Sequence, residues 1–89
     1  MKAIITVIGK DTVGILAKVS AACAADNANI VEVTQSVLQD MFAMIMLADI
    51  SSLKGSFADL SDKMTALGEA QGLKILTMHE DIFNTMHRI

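Results

Sequence analysis

The spacing of apolar and polar positions divides the chain into six short segments and a tail. Lys2 to Ile8 is rich in β-branched residues and apolar on both faces, which predicts a central strand ended by Gly9. From Val13 to about Asp26 the period changes to that of a helix. Leu16, Val19 and Cys23 mark its stripe, Ile15 and Ala22 lie beside it, and Lys18 and Asp26 lie off it. Asp11 or Thr12 can cap this helix, and Asn27 suits a left-handed stop. Asn29 to Leu38 reads as a strand made half polar by Glu32, Gln35 and Ser36, the composition of a sheet edge.

Gln39-Asp40 is the expected turn, and Met41 to Ile50 the next strand. In it Phe42, Met44, Met46 and Ala48 point one way, and Met41, Ala43, Ile45 and Leu47 the other. A strand apolar on both sides needs cover on both sides. After a loop at 51–55, Ser56 and Asp59 have the spacing of a capping box. Phe57, Leu60, Met64 and Leu67 then form a helical stripe, weakened at Gly68 and stopped at Gly72. Leu73 to Met78 predicts a fourth strand. Glu80 to Ile89 predicts a short last helix with Ile82, Phe83, Met86 and Ile89 on its apolar side. The order strand–helix–strand–strand–helix–strand, with right-handed crossovers, predicts an α+β fold of the ferredoxin-like βαββαβ type in one domain. Its four-stranded antiparallel sheet carries both helices on one face. The other face is left for the terminal helix, a second subunit or both.

Composition sharpens that last point. With 89 residues, a chain hides only about 60–65% of its unfolded surface. Yet 53% of the residues are hydrophobic and the mean hydropathy is +0.51. A homo-oligomer, most simply a dimer, resolves the mismatch. The net charge of −3 and 3% aromatic residues argue against nucleic acid as a partner. The single Cys23 excludes an internal disulfide and suits a reducing, cytoplasmic setting. The apolar runs are too short to span a membrane, and the N-terminus lacks a signal-peptide cleavage pattern.

Gly9-x-Asp11-x-x-Gly14-Ile15, then Val19, then Asn29-Ile30 at the second strand resembles the ACT domain. The likeness covers nearly the whole chain. With the opening MKAIITVIGKD and the TQSVL before a methionine-rich strand, it is similar to short stand-alone bacterial ACT proteins of unassigned function. The resemblance implies a small regulatory module whose copies associate side by side. It also implies an amino-acid site between the first strand–helix loop of one copy and a neighbouring chain. The matching positions are Asp11, Thr12, Val13 and Gly14 in the loop, and Asn29 in the second element. Where many ACT loops carry Arg-Pro before the glycine, this chain has Thr12-Val13.

The chemistry of these positions fits such a ligand. Gly14 lets backbone or ligand approach closely, and the helix start offers unpaired N–H groups to a carboxylate. Asp11 could pair with an ammonium, and Asn29 could donate or accept. Each has a plain structural use too: capping, helix–sheet packing, closing a turn. Cys23 reads as a buried, inert thiol, and the methionines as adaptable core and interface filling. His79 and His87 are not at metal-site spacing, because Phe83 stands where a second histidine would be needed. No nucleophile motif or phosphate-cradling loop is present, so no enzyme and no cofactor are expected. The expected function is an amino-acid-binding regulatory module acting as an oligomer, with a partner enzyme or regulator possible. The alternative is a ligand-free interaction adaptor.

Overall fold

The computed structural model describes residues 1–10 and 13–86, with Phe83, Thr85 and Met86 described in their backbone alone. The chain runs β1 (Lys2–Lys10), α1 (Ile15–Ala25), β2 (Asn29–Leu38), β3 (Met41–Asp49), α2 (Phe57–Gln71), β4 (Lys74–His79) and α3 (Glu80–Met86). The sheet order is β2-β3-β1-β4, every neighbouring pair antiparallel. This is the expected ferredoxin-like βαββαβ arrangement with a short helix appended.

Register assigns the faces. Ala3, Ile5 and Val7 on β1 stand beside Ala48, Met46 and Met44 on β3, and beside His79, Thr77 and Ile75 on β4. The apolar ones among these positions, with Phe42, form the sheet's side of the core. From α1 the core takes Ile15, Val19 and Cys23, and from α2 Leu60 and Met64. Met44, Met46 and Met64 are fully buried, filling the layer between sheet and helices as flexible side chains can.

The second helix is built as its sequence requires. Asp59 N–H donates to Ser56 Oγ at 3.1 Å, and Ser56 N–H donates to Asp59 Oδ2 at 3.2 Å, closing the capping box. Gly72 ends the helix at φ 71°, in the left-handed region. Gly68 is buried where α2 crosses β4. A Cβ there would lie 2.7 Å from the Leu73 carbonyl oxygen, so the glycine that weakens the helix is what lets it approach the strand.

Several expectations change. β1 continues through Gly9 to Lys10, because Gly9 is a close-contact position rather than a stop: a Cβ would meet Leu73 Cδ2 at 2.6 Å. The first helix starts at Ile15, two residues later than expected, so its stripe is Ile15, Val19 and Cys23 while Leu16 is exposed. Asp26 is not off the buried side. It is 4% exposed at the C-cap of α1, with Lys63 of α2 donating to its Oδ1 at 2.5 Å. Asn27 is left-handed as expected, at φ 62°, and Gln39 in the β2–β3 turn stands at φ 59°. β3 ends at Asp49, and β4 starts at Lys74 and runs on to His79. On α3, Ile82 is exposed; the side chains of Phe83 and Met86, and all of Ile89, lie outside the described residues.

β2 is an edge strand, exposed at every position but Ile30. It carries one irregularity. Ile30 faces Ala48 and Glu32 faces Leu47, so Val31 is an extra residue, a bulge.

Candidate functional site

The loop after β1 is where the sequence places a ligand. Asp11 and Thr12 lie outside the described residues. Val13 is 98% exposed, packed on nothing. Gly14 is the N-cap of α1 at φ 86°, a conformation that favours glycine, and a Cβ built on it has nothing within 4 Å. The N-cap position of α1 belongs to Gly14, which has no side chain with which to bond, and the expected caps, Asp11 and Thr12, lie outside the described residues. Lys18 N–H, one turn in, already donates to the Gly14 carbonyl at 3.0 Å. The N–H groups before it are the ones a helix start leaves without intrahelical partners.

Asn29 lies at the opposite end of the sheet. It stands beside Asp49, which stands beside Lys2, whereas Gly14 follows the Lys10–Met41–Leu38 end. Eight ladder steps separate the two levels, roughly 26 Å at strand rise. One chain therefore does not bring Gly14 and Asn29 together.

Around Asn29 the structure gathers polar groups that the sequence did not single out. Asn27, Asn29, Asp49 and Ser52 line an open cleft of about 310 Å³. A second cleft of about 210 Å³ adjoins it, lined by Ala24, Asn27, Ala28 and Asn29. Asn27 Nδ2 donates to the Ser52 carbonyl at 2.8 Å, which fixes the amide and ties the end of α1 to the β3–α2 loop. Ser51 N–H donates to Asp49 Oδ1 at 2.9 Å, and the Met1 ammonium donates to Ser51 Oγ at 3.3 Å. The Ser51 side-chain and backbone hydrogen bonds hold the Asp49 carboxyl below its usual range. These residues come from three separate stretches, brought together by the pairing of β3 with β2 and β1. The one available sequence signal was Asn27-x-Asn29, two amides flanking a helix end.

The remaining candidates have structural roles. Cys23 is fully buried, and its thiol is pushed up to about 11 by burial, with a smaller contribution from the Asp26 charge. His79 Nδ1 accepts from Asp81 N–H at 3.2 Å, and its ring meets Phe57 edge-on at 5.9 Å between centroids. His87 lies outside the described residues. Among the described residues no three metal-ligating side chains cluster, and no helix is long and apolar enough to cross a membrane.

The ACT domain family model matches residues 2–78, nearly the whole chain. The chain belongs to the ACT domain family. It is 44% identical over 88 residues to a UPF0237 protein of Methanocaldococcus jannaschii, covering 99% of this chain and 98% of that one. It is also 44% identical to a UPF0237 protein of Listeria innocua, over the full length of both. Among solved structures it resembles an ACT domain protein from Streptococcus pneumoniae, with a TM-score of 0.82 and 40% identity over 93% of each chain. These relatives match the ACT domain of this chain along almost their entire length, so the likeness is to small proteins of the same extent. ACT domains in general are small-molecule-binding regulatory modules, amino acids being their usual ligands.

Proposed function

We propose that this ACT domain is an amino-acid-binding regulatory module that works as a homodimer, with each ligand held between two copies. The observation that carries the proposal is the placement of the two half-sites at opposite ends of the edge strand β2. β2 offers a row of backbone groups on its free side, the usual template for strand addition. Two β2 strands paired antiparallel about a two-fold axis set the start of one beside the end of the other. Asn29 and its polar cleft then approach the first loop of the partner, where Asp11, Thr12, Val13 and Gly14 lie.

The chemistry of the halves is complementary. The start of α1, with a glycine at its N-cap, offers N–H donors and a positive dipole end to a carboxylate. Asn29, Asp49 and Asn27 Oδ1, whose amide nitrogen is already committed to Ser52, offer acceptors to an ammonium. Ligand would act by favouring one pairing of copies, or by changing how the pair docks on a partner enzyme or regulator. The working setting is the cytoplasm, and the module has no catalytic role of its own.

Calorimetry of the purified protein against the twenty amino acids tests this. At least one should bind, and Gly14→Asn or Asn29→Ala should each weaken it about tenfold or more, a change of about 1.4 kcal/mol. Refolding the two variants together in equal amounts should return about a quarter of the wild-type sites, because only mixed dimers contain one intact site. No heat with any amino acid would sink the ligand reading and leave a protein-interaction adaptor. Binding that mixing fails to restore would place the whole site within one chain.

A further inference from the structure

We infer that the open face of the sheet is a second self-association surface, on which two copies stack with their strands crossed head to tail. It is separate from the β2 edge and stands without the ligand reading.

The face can be written out row by row from the register. Going from one end of the sheet to the other, β1 presents Lys2, Ile4, Thr6, Ile8 and Lys10. β3 beside it presents Asp49, Leu47, Ile45, Ala43 and Met41, and β4 on the other side presents Met78, Leu76 and Lys74 against Ile4, Thr6 and Ile8. Ile4 is 8% exposed, yet Ile8, two rows along the same strand and face, is 39% exposed. The terminal helix α3 lies against both β1 and β4. It thus covers the Ile4–Met78 half and leaves Leu76 and the Ile8–Lys74 half bare. Ile45, Met41 and Leu38 extend the bare half as an exposed apolar field, with Lys74 beside Ile8 and Lys10 beside Met41.

The charges at its ends have opposite signs. Lys10 and Lys74 stand at the bare end; Glu32, Asp49 and Glu80 stand at the covered end, where Lys2 neighbours Asp49. A two-fold axis lying in the face, across the strands at Thr6, exchanges the two ends. The Ile4–Met78 row of one copy then lies over the Ile8–Lys74 row of the other, and the Thr6–Leu76 rows meet on the axis. The α3 of each copy, with exposed Ile82, falls on the half that the partner's own helix leaves bare. The Lys10–Lys74 end meets the acidic end. A surface of this kind is isologous, and its charges set register more than affinity.

Light scattering on the full chain and on three kinds of variant tests it, with circular dichroism confirming the fold. With both interfaces formed, the wild type has the mass of four copies, and Ile45→Asp should halve it. Lys74→Glu or Glu80→Lys should each weaken association, and the two together should restore it; this pair also serves if Ile45→Asp does not fold. Val37→Asp on β2 is the control for the edge. If the wild type is a two-copy species split by Ile45→Asp and not by Val37→Asp, stacking stands and edge pairing falls. A mass that Ile45→Asp and the charge swaps leave unchanged overturns the inference, and the face then belongs to a different partner.

Discussion

The two βαβ halves of this chain share a plan and differ in how they treat their helix starts. In the second half both ends of the helix are closed by residues of the half itself. Ser56 and Asp59 close the start of α2, Gly72 closes its end, and Gly68 seats the helix on β4. In the first half α1 begins at a bare left-handed glycine beside an exposed Val13, and its other end opens onto a polar cleft. The second half closes its helix with its own residues, and in the proposed function the first half is where the ligand meets the chain.

The comparison can be broken from the stable side. Leu60 of α2 is fully buried against the sheet. Leu60→Ala should cost about 3 kcal/mol by lost burial and the cavity left behind, read as a shift in the denaturant midpoint. If amino-acid affinity fell in proportion while the protein was still folded, the division of labour between halves would be wrong.

A smaller and sharper test sets the two helix starts against each other. Ser56→Ala removes a cap and should cost about 1 kcal/mol with no change in ligand affinity. Gly14→Asn should cost less stability, because asparagine tolerates the left-handed region, yet should lose binding. Equal stability losses with binding untouched in both would make Gly14 a mere turn residue.

A last effect lies at alkaline pH. Burial pushes the Cys23 thiol up to about 11 in the fold, against an ordinary value of 9.0. Between those values the native state binds more protons than the unfolded chain, so stability falls as pH rises through the window. Cys23→Ala should flatten that fall in melts taken from pH 8 to 11. Were the slope unchanged, burial of the thiol would not be its source.

Much of the fold was legible in the residues because local and global signals agree. The bounds of β2 followed from its half-polar composition, and α2 from its capping box and terminal glycine. What was not legible depended on partners far along the chain. Gly9 looked like a strand end, but Leu73, sixty-four positions on, makes it a contact point. Asp26 looked like a solvated helix residue, but Lys63 lets it sit buried. The site shows the same limit. The loop and Asn29 each stood out by residue type, yet only strand order reveals that one chain holds them apart, and only register brings Asp49 and Ser52 to Asn27.

The extra residue at Val31 has a consequence for how chains of this kind can differ in length. Pairs on either side of it, Ile30 with Ala48 and Glu32 with Leu47, would keep their partners if that residue were lost. A deletion anywhere between Glu32 and Leu38 would instead turn part of the strand over, exchanging valines for Glu32, Thr34 or Ser36 on the side nearest the helices. The strand can therefore shed one residue at a single place, and the outermost ladder has a built-in tolerance exactly where it begins beside Asn29.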